Sequence, residues 1–563
     1  MKHYNIKGKL FNNYQTELEN LVNEKIVERI WKKDHTVWSE NPKEISDRLG
    51  WLDCVNYSRK MLDEIQSFVN EIKSEGLTDV LLLGMGGSSL APEVIGNVFG
   101  RQDRYLKIHV LDSTHPEAVK HIAESLNPKT TLYIVSTKSG GTVETISFMK
   151  FFFNYVLDFL GKEETEKHFI AITDPGSGLE DIAKKLNFRK IFLNDPNIGG
   201  RFSALSLFGI VPAALAGVDI EKFFIRADSE ILNSRKSGDL IERNISAQFG
   251  ILLSVLTKNG KDKITIVTSE TFKSFGAWIE QLIAESTGKN GKGILPIDLE
   301  DLLSANSYSK DRAFVIIKLK GDRVEQEKIY SIKDSEFPII EFELEDIYDL
   351  SKQFFLWEFA TAVAGWSLGI QPFDQPNVEQ AKVVARKIIS DFQSTGKLNL
   401  PDPVYDFGDI KIYFDKKFNG LKEAVPALLE NYISGKNYIA IQAYLNPTEE
   451  VFEVLQMFRK RIQVEFKVAT TLGLGPRFLH STGQLHKGDG GNGLFVQFID
   501  SSDAEVKIPD EAGITKSSIS FGILIKAQAF GDRQALIDNK RKVMTFDLGK
   551  NVLENIKIIK NSF

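Results

Sequence analysis

At 563 residues the chain exceeds what one hydrophobic core ordinarily holds, so about three or four domains of roughly 150 residues are expected. Its composition is 42% hydrophobic and 26% charged with a net charge of −6, which gives no basic footprint for nucleic acid, and no window approaches the ~18 apolar residues of a membrane span. The single Cys54 excludes intramolecular disulfides and any cysteine-based metal site, and the start "MKHYNIKGKLFNNYQ" is not patterned as a signal peptide, so a cytoplasmic protein without nucleic-acid or membrane partners is expected.

The first predicted elements are helical. "YQTELENLVNEKIVERIWKKD" and "VNYSRKMLDEIQSFVNEIKSEG" space their apolar residues by three and four. Strands and helices then alternate: "DVLLLGM", a helix from Ala91, "LKIHVLDS", "EAVKHIAESL", "TTLYIVST", "TVETISFMKFFFNYVLDFLG" and "HFIAITDP". A second series offers "KITIVTS", "FGAWIEQLIAES", "RAFVIIKLK", "PIIEFEL" and the long helix "LSKQFFLWEFATAVAGWSLGI". Pro401 and Pro403 punctuate a linker, after which "DIKIYFD", "KEAVPALLENYISG", "NYIAIQAYL" and a helix opened by Asn446 and Pro447 form a third. Short apolar strands alternating with helices predict an α/β fold with doubly wound, mainly parallel sheets. The expected units are an N-terminal helical segment (1–75), two α/β units (76–220 and 221–400) and a C-terminal α/β domain (401–563).

The stretch "LLLGMGGSSLAPEV" (Leu81–Val94) passes from a strand through a glycine-rich turn into a helix. Such a turn lies at the carboxyl edge of a parallel sheet, where α/β ligands bind. The dinucleotide fingerprint G-x-G-x-x-G is not met, because Gly84 and Gly86 are followed by Ser89, although Asp112 ends the next strand where a ribose-binding acid could sit. At this loop an NAD site, a structural tight turn and a polyhydroxylated ligand held by backbone N–H groups, Ser88 and Ser89 all stay open. "STKSGGTVET" (Ser136–Thr145) is a hydroxyl-rich loop opening a helix. Exposed N–H groups and a positive helix end make it a candidate anion site, with Thr137, Ser139 and Thr142 as hydroxyl donors and Lys138 nearby. The Walker pattern is unmatched, against a nucleotide triphosphatase.

These two loops together resemble the SIS (sugar isomerase) fold, and four motifs narrow the resemblance to the phosphoglucose isomerase family. "NIGGRFS" (Asn197–Ser203) is similar to the family's G-G-R-[FY]-S, and "QLIAESTGKNGKGILP" to its E-S-x-G-K segment. "FDQPNVEQAK" (Phe373–Lys382) resembles F-D-Q-x-x-V-E-x-x-K, and "LHSTGQLHKG" (Leu479–Gly488) resembles L-H-S-x-G-Q. The resemblance runs from about residue 75 to the C-terminus and is nearest to the isomerase half of transaldolase–phosphoglucose isomerase fusions. In ordinary members the histidine motif precedes the lysine motif; here His480 follows Lys382, as in that lineage.

The resemblance implies two SIS-type sheets plus the C-terminal domain, no cofactor, no metal, and reversible isomerisation of glucose 6-phosphate and fructose 6-phosphate in glycolysis and gluconeogenesis. It makes Glu285 the carboxylate that moves a proton between C2 and C1, with Gln281 one turn earlier on the same helix face. Arg201 is the fixed cation for the enediolate. Lys382 and His480 open the ring, with Gln375 as a polar neighbour, and His486 is the rival imidazole. Gly87 and Ser88 contact the sugar; Thr137, Lys138, Ser139 and Thr142 surround the phosphate. Ordinary members take the histidine from a second subunit. Here its domain follows in the same chain, so a monomer that completes its own site is expected, with a dimer not excluded. An isomerase that also accepts mannose 6-phosphate and a non-catalytic SIS-type sugar-phosphate sensor are the alternatives.

Overall fold

The computed structural model describes residues 3–501 and 504–562. Two N-terminal helices follow their predicted spacing: Lys9–Asn23 buries Tyr14, Leu18 and Leu21, and Leu62–Ser74 buries Ile65, Phe68, Val69 and Ile72. The strand His3–Asn5 (β1), which the sequence pattern did not indicate, joins the second sheet.

The first sheet contains β2 (Asp79–Gly84), β3 (Lys107–Leu111), β4 (Thr131–Ser136), β5 (Phe169–Thr173) and β6 (Lys190–Leu193), all parallel, in the order β3-β2-β4-β5-β6. The chain steps from β2 to one side and returns to β4 on the other. That reversal makes the carboxyl ends of β2 and β4 a topological switch point, where open α/β sheets place ligands. Gly84 pairs with Ser136 there, so the glycine loop and the hydroxyl loop leave the sheet side by side.

The second sheet contains β7 (Lys263–Thr268), β8 (Leu295–Ile297), β9 (Arg312–Leu319) and β10 (Ile339–Leu344), in the order β1-β10-β9-β7-β8; β1 is its antiparallel edge. The third has the order β11-β12-β18-β15-β13-β14: β11 (Tyr405–Phe407), β12 (Ile410–Tyr413), β13 (Tyr438–Tyr444), β14 (Ala469–Leu474), β15 (Gly493–Ile499) and β18 (Lys542–Asp547). A hairpin of β16 (Lys507–Ile508) and β17 (Ile519–Ser520) lies outside it. One continuous apolar core joins the N-terminal helices to the first two sheets, while the third sheet has a core of its own. The mixed α/β fold is therefore the expected one, with three sheets flanked by helices.

Two local expectations are corrected. The helix expected from Asn446 and Pro447 begins at Glu449, because Thr448 caps it: its hydroxyl accepts from the Val451 N–H at 3.3 Å. The helix Glu379–Thr395, assigned by pattern to the 221–400 unit, packs instead against Phe521–Asp538 of the C-terminal domain. At Gly531 a Cβ would stand 2.9 Å from the Ala381 carbonyl, so only glycine permits that approach. Lys382 is thereby carried on the C-terminal body.

The helix Asp349–Leu368 is apolar nearly all round and buried along almost its whole length. At its centre Glu358 is fully buried, and no donor meets either carboxylate oxygen in good hydrogen-bond geometry. Burial raises its pKa well above the carboxylate range, and the Ala204 amide offsets little of this. The folded state thus retains a proton that the unfolded chain releases. Stability is whole below the unfolded pKa near 4.5 and falls as pH rises, by at most about 1.4 kcal/mol per pH unit for this group. Glu358→Gln removes that dependence: thermal unfolding should show a gain over the native chain that widens from pH 5 to pH 8. A gap that does not change with pH contradicts this account.

Candidate active site

The site is built where four turns meet. Ser136 Oγ donates to the Ser88 carbonyl at 3.0 Å, tying the two loops at the switch point. Gly86 has φ +55°, and a Cβ there would lie 2.7 Å from Gln281 Nε2 and 3.1 Å from His480 Cβ. A Cβ on Gly87 would lie 1.9 Å from the Gly200 carbonyl oxygen. The glycines therefore clear room for protein: the Arg201 and His480 turns and the helix bearing Gln281 dock on bare backbone.

Glu285 stands in the last turn of the helix Phe275–Thr287, with 12% of its side chain exposed, and Gln281 lies one turn before it. Gln281 Nε2 donates to Glu285 Oε2 at 3.3 Å and to the His480 carbonyl at 2.6 Å, linking the carboxylate to the histidine turn. Arg201 Nη1 approaches Glu285 Oε1 at 3.6 Å. Its other bonds fix the plane of the guanidinium: Nε to Ser286 Oγ (2.8 Å), Nη1 to Gln375 Oε1 (2.8 Å), Nη2 to the carbonyls of Pro372 (2.6 Å) and Asp374 (2.9 Å). Burial lowers the Arg201 pKa while Glu285 and Asp374 oppose the shift; a guanidinium remains a cation under such conditions. Lys289, four residues past Glu285, is buried as well. Burial and the neighbouring Arg201 push its pKa down to about 7.

His480 is oriented by residues that the motifs did not mark. Its Nε2 lies 3.1 Å from Glu144 Oε1, which also accepts from Gln528 Nε2 at 2.7 Å, and Thr114 Oγ1 donates to Gln528 Oε1 at 2.7 Å. Burial acts to raise the Glu144 pKa, but His480, the amide of Glu144 and Lys382 together outweigh it and the net shift is downward. A carboxylate at Nε2 favours the N–H there and leaves Nδ1 as the ring's proton acceptor. Glu144 lies two residues past Thr142, in the first turn of its helix, which was the available sequence signal; Gln528 had none.

His486, the rival imidazole, does not line the cleft that His480 lines. It is fully buried, its ring packs on Tyr438, Phe478 and Phe495, and burial lowers its pKa well below the usual histidine value. Lys382 shares the wall of a cleft of about 610 Å³ with Thr142, Glu144, His480 and Gln528. Its ammonium is half-exposed, with Glu379 at 3.8 Å.

In the hydroxyl loop Thr137 Oγ1 and Thr142 Oγ1 are 3.0 Å apart, and Ser139 Oγ accepts from the Gly141 N–H at 3.3 Å. Lys138 departs from expectation: its ammonium is held by the Asp174 carboxylate and by the Pro196 carbonyl at 2.7 Å, so it buttresses the loop. Asp112, the candidate ribose acid, is paired with Arg477 Nη1 at 2.9 Å, which removes the reason to read the first loop as a dinucleotide site.

Carboxylate, guanidinium, imidazole and an anion loop at a sheet switch point define an α/β protein equipped for acid–base chemistry on a small anionic ligand. Residues 41–295 match the family described as phosphoglucose isomerase. The chain is 30% identical over 389 residues to the probable glucose-6-phosphate isomerase of Methanococcus maripaludis, covering 62% of this chain and 86% of the relative. It is 28% identical over 405 residues to the glucose-6-phosphate isomerase of Staphylococcus aureus, covering 63% and 90%. The crystal structure of a glucose-6-phosphate isomerase from Chlamydia trachomatis shares the fold with a TM-score of 0.56 at 18% identity, covering 69% of this chain and 87% of that one. The chain belongs to the phosphoglucose isomerase family.

Proposed function

We propose that the protein is an isomerase that interconverts glucose 6-phosphate and fructose 6-phosphate through an enediolate. The observation that carries this reading is the Glu285 carboxylate lying 3.6 Å from Arg201 and bridged by Gln281 to the His480 turn. In this reading the phosphate is held by the N–H groups and hydroxyls of Thr137, Ser139 and Thr142. Nδ1 of His480 and the Lys382 ammonium exchange protons with the C1 hydroxyl and the ring oxygen, which opens the ring. Glu285 takes the C2 proton of the aldose and returns it to C1, and the reverse for the ketose. Negative charge gathers on the C1 and C2 oxygens as it does so, and Arg201, already locked in plane by its four bonds, meets that charge without reorganising.

The Gln281–His480 bond lies within one chain, which supports a site that a monomer completes alone. His480 following Lys382 likewise supports descent with the isomerase half of the transaldolase fusions. Gel filtration with activity followed on dilution checks the first point: activity should persist in a monomer peak.

A coupled assay tests the function. Fructose 6-phosphate supplied with glucose-6-phosphate dehydrogenase and NADP should give steady NADPH formation. Tight fructose 6-phosphate binding without turnover would instead favour the sensor. Mannose 6-phosphate as the starting sugar measures relaxed specificity.

A further inference from the structure

Two basic side chains, Arg201 and Lys289, close the segment Gln371–Gln375 over the site. Arg201 takes the carbonyls of Pro372 and Asp374 and the Gln375 side chain. Lys289 Nζ donates to the Gln371 carbonyl at 2.8 Å, to Asp374 Oδ1 at 2.7 Å, and to the same Asp374 carbonyl that Arg201 uses. The segment contains no helix or strand, so these bonds, with the Phe373 and Asp374 N–H groups that Gln371 Oε1 accepts, set its shape. Lys289 is in turn fixed from the Glu285 side: its N–H donates to the Thr287 carbonyl at 2.8 Å, and its carbonyl accepts from the Lys292 N–H at 2.9 Å. With 3% of its side chain exposed, it is spent on this segment. Truncating it leaves the part-buried Gln371 carbonyl and Asp374 carboxylate short of a donor and the Asp374 carbonyl held by Arg201 alone.

We propose that Lys289 is a positioning residue that fixes Gln371–Gln375 and thereby holds Arg201 and Gln375 in register with the enediolate. The proposal rests on the isomerase reading. A displacement of about 1 Å at a group that meets transition-state charge lowers turnover by up to ~100-fold, with much less effect on a ground state bound through its phosphate.

The test compares Lys289→Met, Lys289→Arg, Arg201→Lys and the double variant Lys289→Met/Arg201→Lys. It measures kcat, KM, thermal midpoint, and calorimetric affinity for 5-phosphoarabinonate (whose carboxylate mimics the enediolate charge) and for inorganic phosphate. Lys289→Met should lose about 10- to 100-fold in kcat and a similar factor in 5-phosphoarabinonate affinity, with KM and phosphate affinity within about threefold. Lys289→Arg should recover most of the loss, and the double variant should be little worse than Arg201→Lys alone. Unchanged kcat and analogue affinity, or losses that multiply in the double variant, overturn the proposal. Should Lys289→Met not fold, Asp374→Asn weakens the same contact without a cavity, and an unaltered kcat there overturns it equally. A native protein that binds the analogue but does not turn over fructose 6-phosphate sinks the isomerase reading; the Lys289 role is then judged on analogue affinity alone.

Discussion

Glu285→Gln is expected to lower kcat by about 10²- to 10⁴-fold, with KM for fructose 6-phosphate and the affinity for inorganic phosphate nearly unchanged. The substitution is isosteric, so the 3.6 Å approach of Arg201 and the 3.3 Å contact from Gln281 have room to persist. What is lost is a group that accepts a proton from carbon and returns it. The phosphate loop lies on a different sheet from this helix, which is why binding and turnover should separate. Steady-state rates on the variant, with phosphate-ligand binding followed by calorimetry, check the claim. Turnover near the native rate would place the base elsewhere.

Arg201→Lys carries the second large effect. Lysine keeps the charge but loses the planar fork that reaches Ser286, Gln375, Pro372 and Asp374 together. Losing a preorganised donor at a developing oxyanion costs about 10²- to 10³-fold in kcat. Because Arg201 is almost fully buried, the Pro372 carbonyl it leaves without that donor should also lower stability, by about 1–3 kcal/mol, while the Asp374 carbonyl keeps Lys289. Rates and thermal unfolding read the two losses separately. A variant with native kcat and native stability contradicts both halves of the account.

What the sequence made legible follows from how local the signals are. A strand running into glycines or hydroxyl residues before a helix is a contiguous pattern. The sequence alone therefore places the loops at Gly84–Ser89 and Ser136–Thr142 at a sheet edge, and the 1.9 Å overlap a Cβ would make at Gly87 shows why that pattern is strict. Partnerships across the chain carry no such pattern. Glu144 and His480 are 336 residues apart, Glu144 and Gln528 are 384 apart, and nothing near Gln528 distinguishes it from any other helical glutamine. The resemblance sets Lys138 beside the phosphate, and only the fold brings Asp174 to it. Nothing local in the sequence separates His486 from His480; the ring of Tyr438, Phe478 and Phe495 around His486 is assembled from distant segments. The helix Glu379–Thr395 is a related case: helical periodicity defines it but not the partner that Gly531 admits.

The central claim, proton transfer through an enediolate at Glu285, is tested most directly by running the isomerisation in D2O. Fructose 6-phosphate is converted while glucose 6-phosphate is drawn off, and deuterium at C2 of the product is measured by NMR. The account predicts deuterium at C2 with the native chain, and product and label forming about 10²- to 10⁴-fold more slowly with Glu285→Gln. Product formed by Glu285→Gln at near the native rate, with the same deuterium at C2, would contradict it, because another group would then carry the proton between C1 and C2.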